Sequence, residues 1–277
     1  MSATAINDLS KLCVHTITTK HWSLEQAIEK YVARGIKGVS VWRQWLDQRG
    51  PEASGRLFKE AGMDVVSLVR GGFFPGLTTE EKQKAIDDNK KAIDGAAAIG
   101  APAVVLVCGA VPGQALSESR KQIIDGISSI LDHATSVNVK LSIEPLHPMY
   151  ADNRSAVNTM KQANDICDVL KSPLVGVAVD VYHVWWDPDL HQEILRCGKS
   201  GYLNAFHICD WMTPTTDMLN DRGLMGEGCI NIKEIRGWVE EAGFNGYNEV
   251  EIFSDRWWKK DQDGFLEAIV HGYLNHS

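Results

Sequence analysis

Eight short runs rich in Val and Ile alternate along this chain with longer amphipathic stretches, and that alternation limits the fold more than any other feature. The short runs are 12–16 (LCVHT), 38–43 (GVSVWR), 64–70 (DVVSLVR), 103–109 (AVVLVCG), 140–146 (KLSIEPL), 175–183 (VGVAVDVYH), 203–210 (LNAFHICD) and 246–253 (GYNEVEIF). Gly, Pro or polar turns bound many of them, as expected for strands. Between them, 23–34 opens on Ser23, an N-cap residue, and stops before Gly35. The stretch 79–99 keeps Ala and Ile on a helical period and stops before Gly100. Residues 118–138, 155–170, 231–242 and 258–274 follow the same pattern, while 51–61 and 189–197 are shorter.

Strands alternating with helices pair in parallel. With right-handed crossovers, eight such units close most simply into a (βα)8 TIM barrel. An open doubly wound sheet is the rival, but no GxGxxG follows the first strand. The 277 residues contain no low-complexity segment and no evident linker, so a single barrel domain over 1–277 is expected.

A net charge of −8 opposes a nucleic-acid partner, which would need a basic face. Cysteines at 13, 108, 167, 197, 209 and 229 form no CxxC pair, so a finger-type zinc site is not expected, and a reducing, cytoplasmic location fits. The start, MSATAINDLSKL, lacks the apolar core of a signal peptide. No apolar stretch approaches the ~20 residues of a membrane helix.

A barrel of this kind works at the C-terminal ends of its strands. Glu144 ends the fifth run, Asp180 the sixth, His207 the seventh and Glu251 the eighth. Any one of them could be a paired core residue. Together, four ionisable groups in apolar strands are costly to bury unless paired or bound to a cation. Three carboxylates and one imidazole form a hard, oxygen-rich set, so one divalent cation is expected. Mn²⁺ is the first choice, with Mg²⁺, Co²⁺ and Zn²⁺ as alternatives. Glu249 shares the face of Glu251 one layer deeper, as a supporting or core-pairing group.

The order E…DxxH…HxxD…E on strands five to eight resembles the xylose isomerase-like barrel superfamily of sugar phosphate isomerases and epimerases. The resemblance covers essentially the whole chain. Its motifs are IEP at 143–145, DVYH at 180–183, HICD at 207–210, DRGLMGEG at 221–228 and VEIF at 250–253. It implies that Glu144, Asp180, His207 and Glu251 are the metal ligands, and that His183 and Arg222 hold substrate oxygens. The chemistry it implies is proton transfer beside a carbonyl, with the cation stabilising an enediolate. Glu144 and Glu251 would remove and return the proton. The substrate would be a small keto-sugar or inosose-like polyol.

His147 follows Glu144 by three residues on the same rim loop and is a further candidate for substrate contact. His15 and Arg70 also end strands, where a plain core or surface hydrogen bond accounts for them equally well. Trp42, Phe73, Phe74, Trp185, Trp186 and Trp211 fall near strand ends, where aromatic rings can stack on a sugar, Trp185 among them, or pack loops and a subunit interface. Members of the superfamily are often dimers or tetramers, so a homo-oligomer is compatible.

Ketose 3-epimerases of the superfamily carry EPLNR and a second glutamate six residues after the ligand. Here the segment is EPLHPMY, with Tyr150 at that place. The superfamily also holds inosose isomerases, hydroxypyruvate isomerases, and lyases or dehydratases on inososes and 3-oxo-sugars, and the sequence does not separate these outcomes. No Gly-rich phosphate cradle is present, which favours an unphosphorylated substrate. Endonuclease IV-type metallohydrolases share the barrel but need three zinc ions and more histidines. Cys108 and Gly223 stand where two of those would be.

Overall fold

The computed structural model describes residues 5–277. Eight parallel strands close into a barrel: β1 (Leu12–His15), β2 (Gly38–Trp42), β3 (Asp64–Gly72), β4 (Ala103–Val107), β5 (Lys140–Glu144), β6 (Val175–Asp180), β7 (Leu203–Ile208) and β8 (Asn248–Val250). Each strand pairs with its sequence neighbours, and β1 pairs with β8 to remove the sheet edges. The expected (βα)8 barrel is therefore the fold.

Eight main helices surround it: α1 (Leu24–Ala33), α2 (Pro51–Glu60), α3 (Thr79–Ile99), α4 (Leu116–Val137), α5 (Met160–Leu170), α6 (Leu190–Lys199), α7 (Ile232–Glu241) and α8 (Gln262–His276). Ser23 caps α1 reciprocally with Gln26, and Thr78 does the same for α3 with Glu81. The last three expected helices shift in places. Residues 155–158 are loop, because Ser155 bridges to Gly109 and the Asn158 amide holds the Leu146 carbonyl at 3.0 Å. The expected start at 258 splits into a single helical turn, Asp255–Trp258, and α8.

The strand period of two decides which side chains face the barrel axis. Val14, Val39, Val41, Leu141, Ile143, Val177, Val179, Phe206, Ile208 and Val250 point outward into the core beneath the helices. Their alternates point inward. Low in the barrel these are Val69, Val105, Ala178 and Ala205, small enough to fill the narrow axis. One step higher the same alternation delivers His15, Glu144, Asp180, His207 and Glu249 to the interior, and Glu251 follows just beyond β8. All six are buried. No helix among the described residues is long and apolar enough to cross a membrane.

Candidate metal centre

Ligand atoms of Glu144, Asp180, His207 and Glu251 lie within 4.8 Å of one another in the buried mouth of the barrel. The sequence therefore named four residues that the fold does bring together. Each arrives by a strand end. Glu144 closes β5, and Asp180 closes β6 while its Oδ1 accepts the Tyr182 N–H at 2.8 Å, which starts the turn Val181–Val184. That cap is why β6 stops at Asp180 instead of running to 183.

Charge dominates this pocket. Glu144, Asp180, Glu249 and Glu251 are four buried carboxylates, and Arg222 is the one buried guanidinium touching them. Its Nη1 lies 3.0 Å from Asp180 Oδ2 and 3.1 Å from Glu251 Oε2. Burial drives the Glu144 and Asp180 carboxyls above their usual range. Burial would lower His207, but Glu249, Glu144 and Glu251 outweigh it and push the imidazole up to about 10. Burial likewise opposes ionisation of Glu251, yet His15, Arg222 and His207 hold it below the usual carboxylate range.

This donor set fits a divalent cation on two grounds. Glu144 Oε1 and His207 Nδ1 face each other as an ion pair 3.0 Å apart, fully buried, and neither has a further hydrogen-bond partner. Four carboxylates also outnumber the cationic groups that face them, Arg222 and the imidazoles of His15 and His207, which leaves negative charge that a cation would neutralise. The four residues could hold it, and Asp180 and Glu251 would keep Arg222 as a neighbour.

Arg222 arrives on the segment 221–228, and Asp210 anchors that segment. Asp210 Oδ2 accepts the N–H groups of Gly226 and Gly228 at 3.0 and 2.9 Å, and Oδ1 accepts that of Ile230 at 2.9 Å. Asp210–Trp211 also pairs antiparallel with Arg222–Gly223. The guanidinium is sandwiched between the rings of Tyr182 (4.4 Å) and Phe253 (5.1 Å). His183 Nε2 faces Arg222 Nη2 at 3.1 Å, and its Nδ1 faces the His147 backbone N–H at 3.3 Å. Burial, with the Arg222 charge, holds His183 well below the ordinary range, so it sits neutral beside the cluster.

His147 and Trp185 form part of the pocket wall. The His147 ring tilts over Trp211 at 4.9 Å and meets the Trp186 edge at 5.7 Å, while its Nδ1 accepts the Met149 N–H at 3.2 Å. Trp185 packs on Trp211 at 5.6 Å, and its buried indole N–H has no partner. Phe74 corrects the aromatic reading. It is buried on α4, where a side chain at Gly126 would collide with its ring at 2.4 Å, so it belongs to the core.

His15 is more than a plain core hydrogen bond. Its Nε2 lies 3.2 Å from Glu249 Oε2 and its Nδ1 2.9 Å from Glu251 Oε1. Glu249 in turn accepts from Ser40 at 2.6 Å and Ser67 at 3.3 Å. The sequence signal was a His ending β1, which gains meaning only once barrel closure sets β1 beside β8. Asp210 was likewise visible only as the last letter of HICD.

Comparison with known proteins agrees with this architecture. A 26% identical match over 145 residues to a probable endonuclease 4 of Mesomycoplasma hyopneumoniae spans about half of each chain (50% and 51%). The inosose isomerase of Bacillus velezensis is 23% identical over 281 residues, 95% of this chain and 98% of that one. The crystal structure of protein SMc04130 from Sinorhizobium meliloti 1021 superposes with a TM-score of 0.94 at 45% identity, covering 97% and 99% of the two chains. The IolI protein with a bound zinc atom superposes with a TM-score of 0.84 at 20% identity, covering 96% and 97%. Residues 28–269 match the model of one family, and the chain belongs to it: the xylose isomerase-like TIM barrels.

Proposed function

We propose that this protein is a divalent-cation-dependent isomerase or epimerase of a keto-sugar or inosose-like polyol. The observation that carries the reading is the buried Glu144–Asp180–His207–Glu251 cluster, whose facing Glu144 and His207 atoms have only each other as partners within the protein. Similarity along nearly the full length of an inosose isomerase supports the substrate class. A cation bound by these four side chains, Mn²⁺ first, with Mg²⁺, Co²⁺ or Zn²⁺ as alternatives, supplies Lewis acidity to a substrate carbonyl.

The protein side chains do the rest. Glu144 and Glu251 stand on either side of the cluster, on β5 and past β8. One takes the proton from the carbon beside the carbonyl. The other returns a proton to the opposite face, giving an epimer, or to the adjacent carbon, giving an isomer. Neutral His183 and the Arg222 guanidinium, fixed 3.1 Å apart, hold substrate oxygens. His147, Trp185 and Trp211 cover the apolar face of the sugar and keep water away.

An assay of keto-sugars and inososes with Mn²⁺ in D₂O tests the reading. Deuterium entering the carbon beside the carbonyl is the expected result. Loss of water from the substrate would instead make the enzyme a dehydratase working at the same cluster. Near-normal turnover by Glu251→Gln with cation still bound would remove Glu251 from the proton transfer. Cleavage of abasic-site DNA would point to the metallohydrolase branch, which the −8 charge opposes.

A further inference from the structure

Two arginines near the barrel mouth hold no carboxylate: Arg70 in β3, and Arg154 over Tyr150, whose ring lies 5.8 Å from that of His183. Other half-buried or buried guanidiniums have a partner: Arg222 holds Asp180 and Glu251, Arg196 holds Asp165 at 2.8 Å, Arg43 holds Asp88 at 2.7 and 2.9 Å, and Arg120 donates to the Ala156 carbonyl at 3.0 Å. Among the described residues Arg70 and Arg154 have no ion pair, although both are half-buried. Each lies instead over a ring, Arg70 over Phe73 at 4.4 Å and Arg154 over Tyr150 at 5.5 Å.

The backbone places them together deliberately. Arg70 is the extra residue of a bulge in β3, since Val69 pairs with Val105 and Gly71 with Leu106, the very next residue of β4. A bulge re-aims its side chain relative to the regular alternation. Arg154 lies on the other side of the β4 end, its carbonyl accepting the Gly109 N–H at 2.9 Å. Gly109 is the hinge between them. It has φ of 96°, and a side chain there would sit 2.7 Å from the Phe73 Cα, so its absence lets both segments close over β4. Arg70 also lines a cavity of about 490 Å³ with Trp42, Arg43 and Phe73. One carboxylate of that cavity, Asp88, is already gripped in a fork by Arg43. Burial, and then the facing Arg154 and Arg43 charges, pull Arg70 below the ordinary guanidinium range, and Glu144 is among the charges it senses.

We propose that Arg70 and Arg154 form an oxyanion subsite at the edge of the carboxylate–histidine cluster, so that the substrate carries a carboxylate or phosphate at the end away from its carbonyl. The subsite extends the isomerase reading and rests on it for the carbonyl end of the substrate. Guanidiniums suit this task because their planar forks bind carboxylate and phosphate in pairs of hydrogen bonds. A cationic edge on a chain of net charge −8 would also draw an anionic sugar to this mouth of the barrel in preference to the rest of the surface.

The test is calorimetric titration of the protein with D-gluconate, glucose 6-phosphate and D-glucose at low ionic strength, with EDTA present so that the cation plays no part. At least one anionic sugar is expected to bind roughly thirtyfold or more tighter than glucose. Arg70→Gln and Arg154→Gln should each cost about tenfold, and the double variant should erase the preference. Gluconate winning assigns a carboxylate, and glucose 6-phosphate winning assigns a phosphate. Arg70→Lys, which keeps the charge but loses the fork, should fall between and serves if the Gln variant melts early. Equal binding of charged and neutral sugars, or an anion preference unchanged in the double variant, overturns the subsite. Deuterium exchange into keto-sugars is measured in parallel. Exchange without anion preference sinks the subsite alone, whereas an anion preference lost in the variants but without exchange upholds the subsite and sinks the isomerase reading.

Discussion

Glu144 Oε1 and His207 Nδ1 approach to 3.0 Å in the barrel mouth, and neither has another hydrogen-bond partner. In the metal-free protein His207 rises to about 10 from an ordinary 6.5 because carboxylates surround it. A raised histidine stabilises the fold fully below its unfolded value near 6.5, and that contribution is lost as pH climbs through about 10. A cation needs the neutral imidazole, so binding must eject a proton. Calorimetry at pH 8 in buffers of different ionisation enthalpy should show about one proton released per cation, with affinity rising about tenfold per pH unit. Proton-neutral binding would mean that His207 is not charged beforehand.

Arg222→Ala should be strongly destabilising. It strips Asp180 and Glu251 of the guanidinium that lies 3.0 and 3.1 Å away. Breaking a buried pair from one side costs about 3–5 kcal/mol, or roughly 10 °C in melting temperature for a chain of this size. Saturating Mn²⁺ should recover part of the loss, because the cation neutralises the same two carboxylates. Thermal melts with and without the metal check both statements, and equal losses in the two conditions would separate Arg222 from the cation site.

Glu249→Gln keeps the shape of the side chain and removes its charge. The carboxylate gathers Ser40 at 2.6 Å, Ser67 at 3.3 Å and His15 at 3.2 Å, and its Oε2 lies 3.6 Å from His207 Nε2. Groups that orient a ligating histidine typically account for about 10–100-fold in metal affinity. Competition against a metal-binding dye should show a loss of that size with the fold intact. Unchanged affinity would confine Glu249 to packing.

Gly72→Ala should not give a folded protein. Gly72 has φ of 106°, and an added Cβ would stand 1.9 Å from the Val107 carbonyl oxygen, a rigid backbone atom on the paired strand. Gly100→Ala, with φ of 79° but no atom within 4 Å, should cost only the left-handed strain of about 1 kcal/mol. Soluble yield and circular dichroism of the two variants make the comparison.

Much of this was legible in the sequence, because alternation with period two is a local signal. It located all eight strands and the inward faces that carry Glu144, Asp180, His207 and Glu251. The strand ends were less legible. Val181–Val184 coils because Asp180 caps it, and β3 runs two residues past Arg70 because Gly71 and Gly72 pair with Leu106 and Val107. The bulge that turns Arg70 aside has no periodic signature. His15 needed knowledge of which strand lies beside β1, which is a property of closure and not of any window of residues. Asp210 needed the path of a loop whose N–H groups lie 16 to 20 residues further on.

The pairing of β1 with β8 has a consequence for how the protein is made. The pocket is a ring closed across a long stretch of chain: Glu249 and Glu251 follow their partners His15 and Ser40 by more than two hundred residues. Until β8 slots in, β1 keeps an open edge and His15 lacks both of its acids. Glu144, Asp180 and His207 then lack Glu251, so the four-residue cluster is complete only once the barrel has closed. A complete cluster therefore requires that the last strand has found the first.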